Sequence, residues 1–224
     1  MHNIKAVIPV RKGSVRVKNK NIRPFCDKNL LIYKIEQLKR ISEINEIIVN
    51  SDCDDMLSIA EEHKATTTKR EPYYASSEVS INDVWENIAS KIDSPVLLYA
   101  NATSPLVSDR SFRDCINLYN TLNLFRKNKS INTVSTIKEF LWMNNVPLNY
   151  SKDRQPRSQD LPLVFYPNFA INIISTKLMQ EKKTIISDNF EPYYLGKVES
   201  VDIDDEEDFL IAEMLFERNK KERK

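Results

Sequence analysis

Glycine is nearly absent from this chain: 2 of 224 residues, Gly13 and Gly196. Accordingly there is neither the G-x-G-x-x-G of a dinucleotide-binding turn nor the G-K-[ST] ending of a Walker loop. Histidine is as scarce. His2 and His63 both stand outside any motif, which argues against a histidine-dependent triad or a zinc site, and G-x-S-x-G, H-E-x-x-H and C-x-x-C are all missing. The three cysteines, Cys26, Cys53 and Cys115, are odd in number and lack metal or redox spacing, as expected of reduced thiols. No apolar run approaches the roughly 20 residues of a membrane span. The opening "MHNIKAVIPV" enters a strand pattern at once, without the apolar region or cleavage site of a signal peptide. A formal net charge of +1 implies no general attraction to polyanions, and the basic residues 16–23 belong to no extended basic face with interleaved aromatics. The expectation is a cytoplasmic protein with neither nucleic acid nor membrane as a partner.

With 41% hydrophobic and 29% charged residues, a chain of this length suits one large domain, 1–224. Its first half alternates strand and helix signals. Residues 4–10 read as a buried strand, 29–41 as a helix, 46–52 as a strand followed by a helix to about His63, and 80–92 as a helix capped by Ser80. A strand at 95–100, a helix from Ser108 and a β-branched strand at 130–137 continue the pattern. Such alternation predicts an α/β fold with a mostly parallel sheet covered on both faces. The polar strand ends "RKGS", "NSD" and "NATSP" should then meet on one rim. Residues 138–175 break the alternation, with a polar link "SKDRQPRSQDLP" and a strand "VFYPNFAINII" in their second half. "EFLWMNNVPLNY" predicts a hairpin turning at Asn144-Asn145, with Phe140, Trp142 and Tyr150 in need of cover, so this excursion is a candidate partner surface. "KVESVDI" at 197–203 reads as a last strand, followed by a helix from about Asp205 and a basic tail, "RNKKERK".

Two stretches carry chemistry. The first is "PVRKGSVRVKNKN", residues 9–21, where a strand feeds a turn at Gly13 set among Arg11, Lys12, Arg16, Lys18 and Lys20, with Arg23 just beyond. Backbone N–H groups, Ser14 and these cations suit a triphosphate and a departing pyrophosphate; a solvated basic loop is the other reading. The second is "VDIDDEEDF", residues 201–209. On a strand, Asp202 and Asp204 project their carboxylates to the same side, an arrangement suited to Mg²⁺. Alternatively Asp204 or Asp205 caps the last helix, with Glu206, Glu207 and Asp208 complementing its dipole.

These stretches resemble the acylneuraminate cytidylyltransferases, the CMP-sialic acid synthetases and their relatives. "IPVRKGSVRVKNKNIRPF" resembles their opening motif, and "IIVNSD", "KREPYYASS", "NATSPL", "RSQDLP", "PNFAINII" and "VDIDDEEDF" follow in the family's order over nearly the whole chain. The resemblance implies a Rossmann-like three-layer fold, CTP as donor, Mg²⁺ as cofactor, and a homodimer formed through the excursion at about 138–168. It places Arg11, Gly13, Ser14, Arg16, Lys20 and Asn21 in the nucleotide loop, with Arg11 and Lys20 as the catalytic cations. Arg70 and Ser80 fall on the cytidine side, Asn101, Tyr166 and Asn168 near the acceptor, and Asp202 and Asp204 on the metal. Three positions depart from the family pattern: Val15 stands for a lysine, Tyr166 for a frequent arginine, and Phe169 for the glycine of N-G-A. The implied activity is CTP-dependent transfer of CMP to an acidic sugar of the sialic acid type. A phosphorylated or phosphonate acceptor, or a non-catalytic nucleotide-binding relative, is the alternative.

Overall fold

Strand β1 (Ile4–Pro9) alternates its side chains between two cores: Ile4, Ala6 and Ile8 enter one, Val7 the other. The chain then crosses the cationic loop, forms a small hairpin of β2 (Pro24–Phe25) and β3 (Lys28–Asn29), and enters α1 (Leu30–Lys39), whose first turn is capped by the Asn29 side chain. There follow β4 (Glu46–Ser51), α2 (Asp54–Glu62), β5 (Thr66–Lys69), a single turn α3 (Pro72–Ala75) and α4 (Ile81–Ser90). Next come β6 (Val96–Ala100), α5 (Asp109–Thr121) and β7 (Ile131–Ile137). The excursion holds the hairpin of β8 (Trp142–Met143) and β9 (Val146–Pro147), and the chain returns through the long β10 (Val164–Ser175). It closes with α6 (Thr176–Lys182), β11 (Glu191–Tyr194) and α7 (Glu206–Glu222). This computed structural model describes residues 2–222, so Arg223 and Lys224 of the basic tail lie outside the described residues.

Seven strands form one sheet in the order β11-β7-β10-β6-β1-β4-β5, all parallel except β10, which runs antiparallel to both neighbours. Helices α1, α2, α5 and α7 pack on one face and α4 with α6 on the other, giving the three layers expected. Chain progression leaves β1 for β4 on one side and β6 on the other, so the switch in strand order lies between β1 and β6. The crevice at their carboxyl ends is where this architecture accommodates ligands.

The Asn144-Asn145 hairpin forms as read: both residues have positive φ (50° and 63°), which matches the right-handed twist of the flanking strands. Phe140 stacks edge-on to Tyr150 at 5.0 Å, while Trp142 remains half exposed. The expected strand at 197–203 does not form. Residues 197–200 make a turn, and the following segment touches the rest of the backbone through Ile203 N–H donating to the Thr103 carbonyl. Val201 and Ile203 are apolar because they anchor this crossing segment, not because a ladder continues through it. Strands β5 and β11 and helix α6 are additions to the expected elements: β5 is all Thr and Lys, and β11 is "EPYY", so neither strand shows an apolar run.

Two buried polar features stand out. Between β7 and β10, Asn132 Nδ2 donates to Asn172 Oδ1 (2.8 Å), Thr133 Oγ1 to Asn168 Oδ1 (2.6 Å) and Asn168 Nδ2 to Ser135 Oγ (2.9 Å). On α1, Lys34 is buried, its Nζ donating to Gln37 Oε1 (2.9 Å) and the Ser104 carbonyl (3.0 Å), 5.1 Å from the Phe112 ring centroid. Burial pushes its amine down to about 7, opposed by the charges of Asp109 and Asp202 and reinforced by Arg40. Lys34 borders a cavity of about 270 Å³ between α1, α7 and the loop after β6.

Candidate active site

A cleft of about 460 Å³ opens over the ends of β1 and β6. Its rim carries Arg11, Ser14, Arg16, Lys20, Asn21, Arg70, Asn101 and Asp204, so eight of the residues singled out in the sequence converge there. Gly13 sets the loop's path with φ at +83°, a conformation that strains any side chain although space around it is open. The loop is tethered on both sides. Lys12 N–H donates to Asp52 Oδ1 (2.9 Å), and Arg11 Nη1 to the Ala75 carbonyl (3.0 Å). Asn21 is buried, and its carbonyl accepts from Leu31 N–H (3.1 Å).

Arg70 is 5% exposed and held by Asn50: its Nε donates to Asn50 Oδ1 (2.7 Å) and its Nη2 to the Asn50 carbonyl (3.2 Å). Burial, with Arg11 adding to it, lowers the guanidinium from its ordinary value, while Tyr99 and Asp52 oppose the shift. It nonetheless remains a cation at any physiological pH. Lys20 donates to the Ile203 carbonyl; its partial burial lowers the ammonium, Asp202 and Asp204 raise it, and Arg16 lowers it further. Arg23 turns away from the cleft, paired with Glu206 (2.6 Å) and stacked over Phe209 (4.4 Å). Asn50, Tyr99, Ile81 and Val84 line or support this cleft without having been singled out; for Asn50 the signal was present in the polar strand end "NSD".

Ser80 is not brought into the cleft. Its Oγ accepts from Asp83 N–H (3.2 Å) and donates to Asp83 Oδ2 (2.7 Å), so its hydroxyl is engaged in capping α4.

A second cleft of about 580 Å³ adjoins the first, lined by Tyr166, Asn168, Phe169, Lys197, Ser200, Asp202, Asp204 and Asp208. Asp204 borders both clefts. The Asn168 amide is engaged with Thr133 and Ser135, so it braces the wall from within. Phe169 has φ +57°, a left-handed conformation costing a bulky residue on the order of 1–3 kcal/mol. The surrounding amides hold it there: its carbonyl accepts from Asn101 Nδ2 (3.1 Å) and Asn172 Nδ2 (2.9 Å), and the β10–β7 register shifts between Pro167 and Asn172.

Asp202 and Asp204 flank buried Ile203 without belonging to a strand. Ser104 Oγ donates to Asp202 Oδ1 (3.4 Å), and Arg16 Nη2 to Asp204 Oδ1 (2.7 Å). The Arg16–Asp204 pair is more than half exposed on both sides, so it contributes about 0–1 kcal/mol and opens at little cost. The helix cap is a different residue: Asp205 Oδ1 accepts from Asp208 N–H (2.9 Å), and Asp208 Oδ2 accepts from the N–H groups of Asp204 and Asp205. Asp202 and Asp204 are therefore free of capping duty. Among the described residues no group of three or more His, Cys, Asp or Glu could hold a metal ion. A cation here would take two carboxylates from the protein and its remaining ligands from phosphate and water, a donor set that fits Mg²⁺.

The Rossmann-like sheet thus carries a cationic loop at its switch point and two aspartates on the same rim, an arrangement compatible with nucleotidyl transfer. The family described as Cytidylyltransferase matches residues 5–193, and the chain belongs to that family. It is 26% identical to the N-acylneuraminate cytidylyltransferase of Escherichia coli over 97% of this chain and 53% of the relative, so it spans about half that protein's length. It is also 26% identical to the CMP-N,N'-diacetyllegionaminic acid synthase of Legionella pneumophila, over 96% of this chain and 97% of the relative. Among solved structures it is similar to a CMP:2-keto-3-deoxy-manno-octonic acid synthetase complexed with CTP (TM-score 0.72, 11% identity, 97% of this chain and 99% of the other). It is likewise similar to the 4-diphosphocytidyl-2C-methyl-D-erythritol synthase of Anaerococcus prevotii (TM-score 0.65, 18% identity, 96% and 99%).

Proposed function

We propose that this chain transfers CMP from CTP to an acidic sugar, releasing pyrophosphate. The observation that carries the reading is that Asp204 borders both clefts, with Asp202 beside it in the second. The donor cleft has four cations for a triphosphate, and the adjoining cleft meets it at the carboxylate pair, where the α-phosphate and an acceptor oxygen would come together. The N-acylneuraminate, legionaminic and pseudaminic acid enzymes among the relatives support an acidic sugar as the acceptor.

In this reading the Gly13 loop and Ser14 hold the phosphates, while Arg11 and Lys20 neutralise the charge that accumulates on the departing pyrophosphate. Arg70, fixed by Asn50, presents a permanent cation at the floor of the donor cleft. Arg16 exchanges Asp204 for a phosphate oxygen, a change made cheap by the exposure of that ion pair. Asp202 and Asp204 would hold Mg²⁺, which when bound supplies charge neutralisation on the phosphates. Catalysis then rests on position and electrostatics, and needs no covalent nucleophile.

The functional unit in this reading is a homodimer. Trp142, Met143, Val146, Leu148, Leu163 and Phe165 leave an apolar surface on the excursion that a second copy would cover. Cytoplasmic residence is supported by three free cysteines, two of them buried. No helix among the described residues is long and apolar enough to cross a membrane.

The test is pyrophosphate release from CTP and Mg²⁺ with a panel of acidic sugars and phosphorylated acceptors, alongside calorimetry with CTP, ATP and GTP. Selective CTP binding and turnover confined to acidic sugars is the expected result. Equal affinity for ATP or GTP would overturn the donor assignment, and turnover only with phosphorylated acceptors would overturn the acceptor.

A further inference from the structure

Ten residues other than glycine have positive φ among the described residues. Nine lie in turns, loops or helix ends, and six of those are asparagines, whose short polar side chain tolerates this conformation. Phe169 alone lies within a strand, β10, and it alone is aromatic. The backbone there is dictated by groups other than its own ring: Asn101 and Asn172 hold its carbonyl, and Asn168 Oδ1 accepts from the next N–H. Any residue at 169 would be held in this conformation, and glycine would adopt it without strain. A bulky side chain kept in a strained position at a cleft wall points to a role for the side chain itself.

The ring packs against the core cluster beneath α4 and α6, and the residue also lines the second cleft beside Tyr166. Its partner Asn101 borders the first cleft. Phe169 therefore stands at the partition between the two clefts, directly on the acceptor side of it. We propose that Phe169 limits the size of the acceptor: its ring fills volume that glycine on the same backbone would leave open, and it selects against acids carrying a bulky N-acyl group. The inference rests on the cytidylyltransferase reading above, and concerns which acceptor that cleft admits.

Two variants separate ring volume from backbone strain. Phe169→Gly removes both; Phe169→Ala removes the ring and keeps the strain. The probes are N-acetylneuraminate, a nine-carbon acid with an N-acyl group, and 2-keto-3-deoxy-octonate, an eight-carbon acid without one. Pyrophosphate release with CTP and Mg²⁺ gives kcat/KM for each, and calorimetry with CTP alone reports the donor cleft. In both variants the ratio of N-acetylneuraminate to octonate should rise at least tenfold over wild type, with CTP affinity within twofold. Phe169→Ala should melt below Phe169→Gly. With CTP binding intact and turnover measurable, a ratio within twofold of wild type or a fall in the ratio overturns the size limit alone, whereas no turnover of either acid by any of the three proteins overturns the acidic-sugar acceptor and the size limit with it. Absence of CTP binding by the wild-type chain overturns the cytidylyltransferase reading and the size limit with it.

Discussion

Lys34 makes the stability of this protein depend on pH in a calculable way. Its amine is lowered to about 7 in the folded chain from an ordinary value of 10.5, with burial as the main cause. Between those values the unfolded chain holds a proton that the folded chain has released, so stability rises with pH through this window. It is lowest below pH 7, where the charge must be buried, and the gain is complete above 10.5. Between pH 7 and 8.5 the linkage relation gives a gain of about 1.6 kcal/mol from this one group, equivalent to a shift of roughly 3–6 °C in Tm for a chain of this size. Lys34→Met removes the titration. The substitution also leaves Gln37 Oε1 and the Ser104 carbonyl without their donor, but that cost does not vary with pH. The informative quantity is therefore the wild-type minus variant difference in unfolding free energy, from urea melts followed by circular dichroism at several pH values between 7 and 8.5. Asp109, held below the ordinary carboxylate value, and Arg40, raised above its own, keep constant charge over that range, so they cancel. A difference that stays flat within about 0.3 kcal/mol, well below the linkage value, would refute the buried neutral amine.

Asp202→Asn should lower turnover at saturating CTP and Mg²⁺ by about 100-fold or more with an unchanged circular dichroism spectrum, because it removes a carboxylate that caps no helix and, among the described residues, forms no ion pair. Near-normal turnover would remove the metal assignment. Asp205→Ala should instead cost about 1 kcal/mol of stability by deleting the cap of α7, whereas Asp205→Asn should be nearly silent; equal losses from both would contradict the capping geometry. Light scattering at tens of micromolar should show a dimer that Trp142→Glu with Phe165→Glu converts to monomer. A monomeric wild-type chain would refute the excursion as an interface.

The alternation of strands and helices from residue 4 to 137 was legible because period-2 apolar strands feed both faces of the sheet, and because Ser80 and Ser108 mark helix starts by residue type alone. The Gly13 loop was legible for a related reason: a glycine in a chain with only two stands where φ reaches +83°. What stayed hidden depends on tertiary partners. Strands β5 and β11 lack apolar runs because they lie at the two edges of the sheet, each paired on one side only. The segment at 197–203 imitates a strand because its Val and Ile anchor a crossing chain. The bracing of Arg70 by Asn50 joins residues 20 apart, and the engagement of the Asn168 amide joins β10 to β7, so residue types at those positions cannot tell a ligand-facing side chain from an inward-facing one.

The hydrogen-bonded side chains between β7 and β10 also specify the register of that strand pair. An apolar strand face cannot distinguish its correct pairing from one displaced by two residues, since both bury the same side. Here a two-residue displacement would separate Asn132 from Asn172 and Asn168 from Ser135 and Thr133, stranding several amide and hydroxyl groups away from water. At about 1–3 kcal/mol for each stranded group, three of them forfeit roughly 3–9 kcal/mol, comparable to the entire stability of an ordinary domain. A β10 displaced by two residues is therefore strongly disfavoured, and the one reversed strand of the sheet keeps the register in which its irregularity sets residue 169 beside the second cleft.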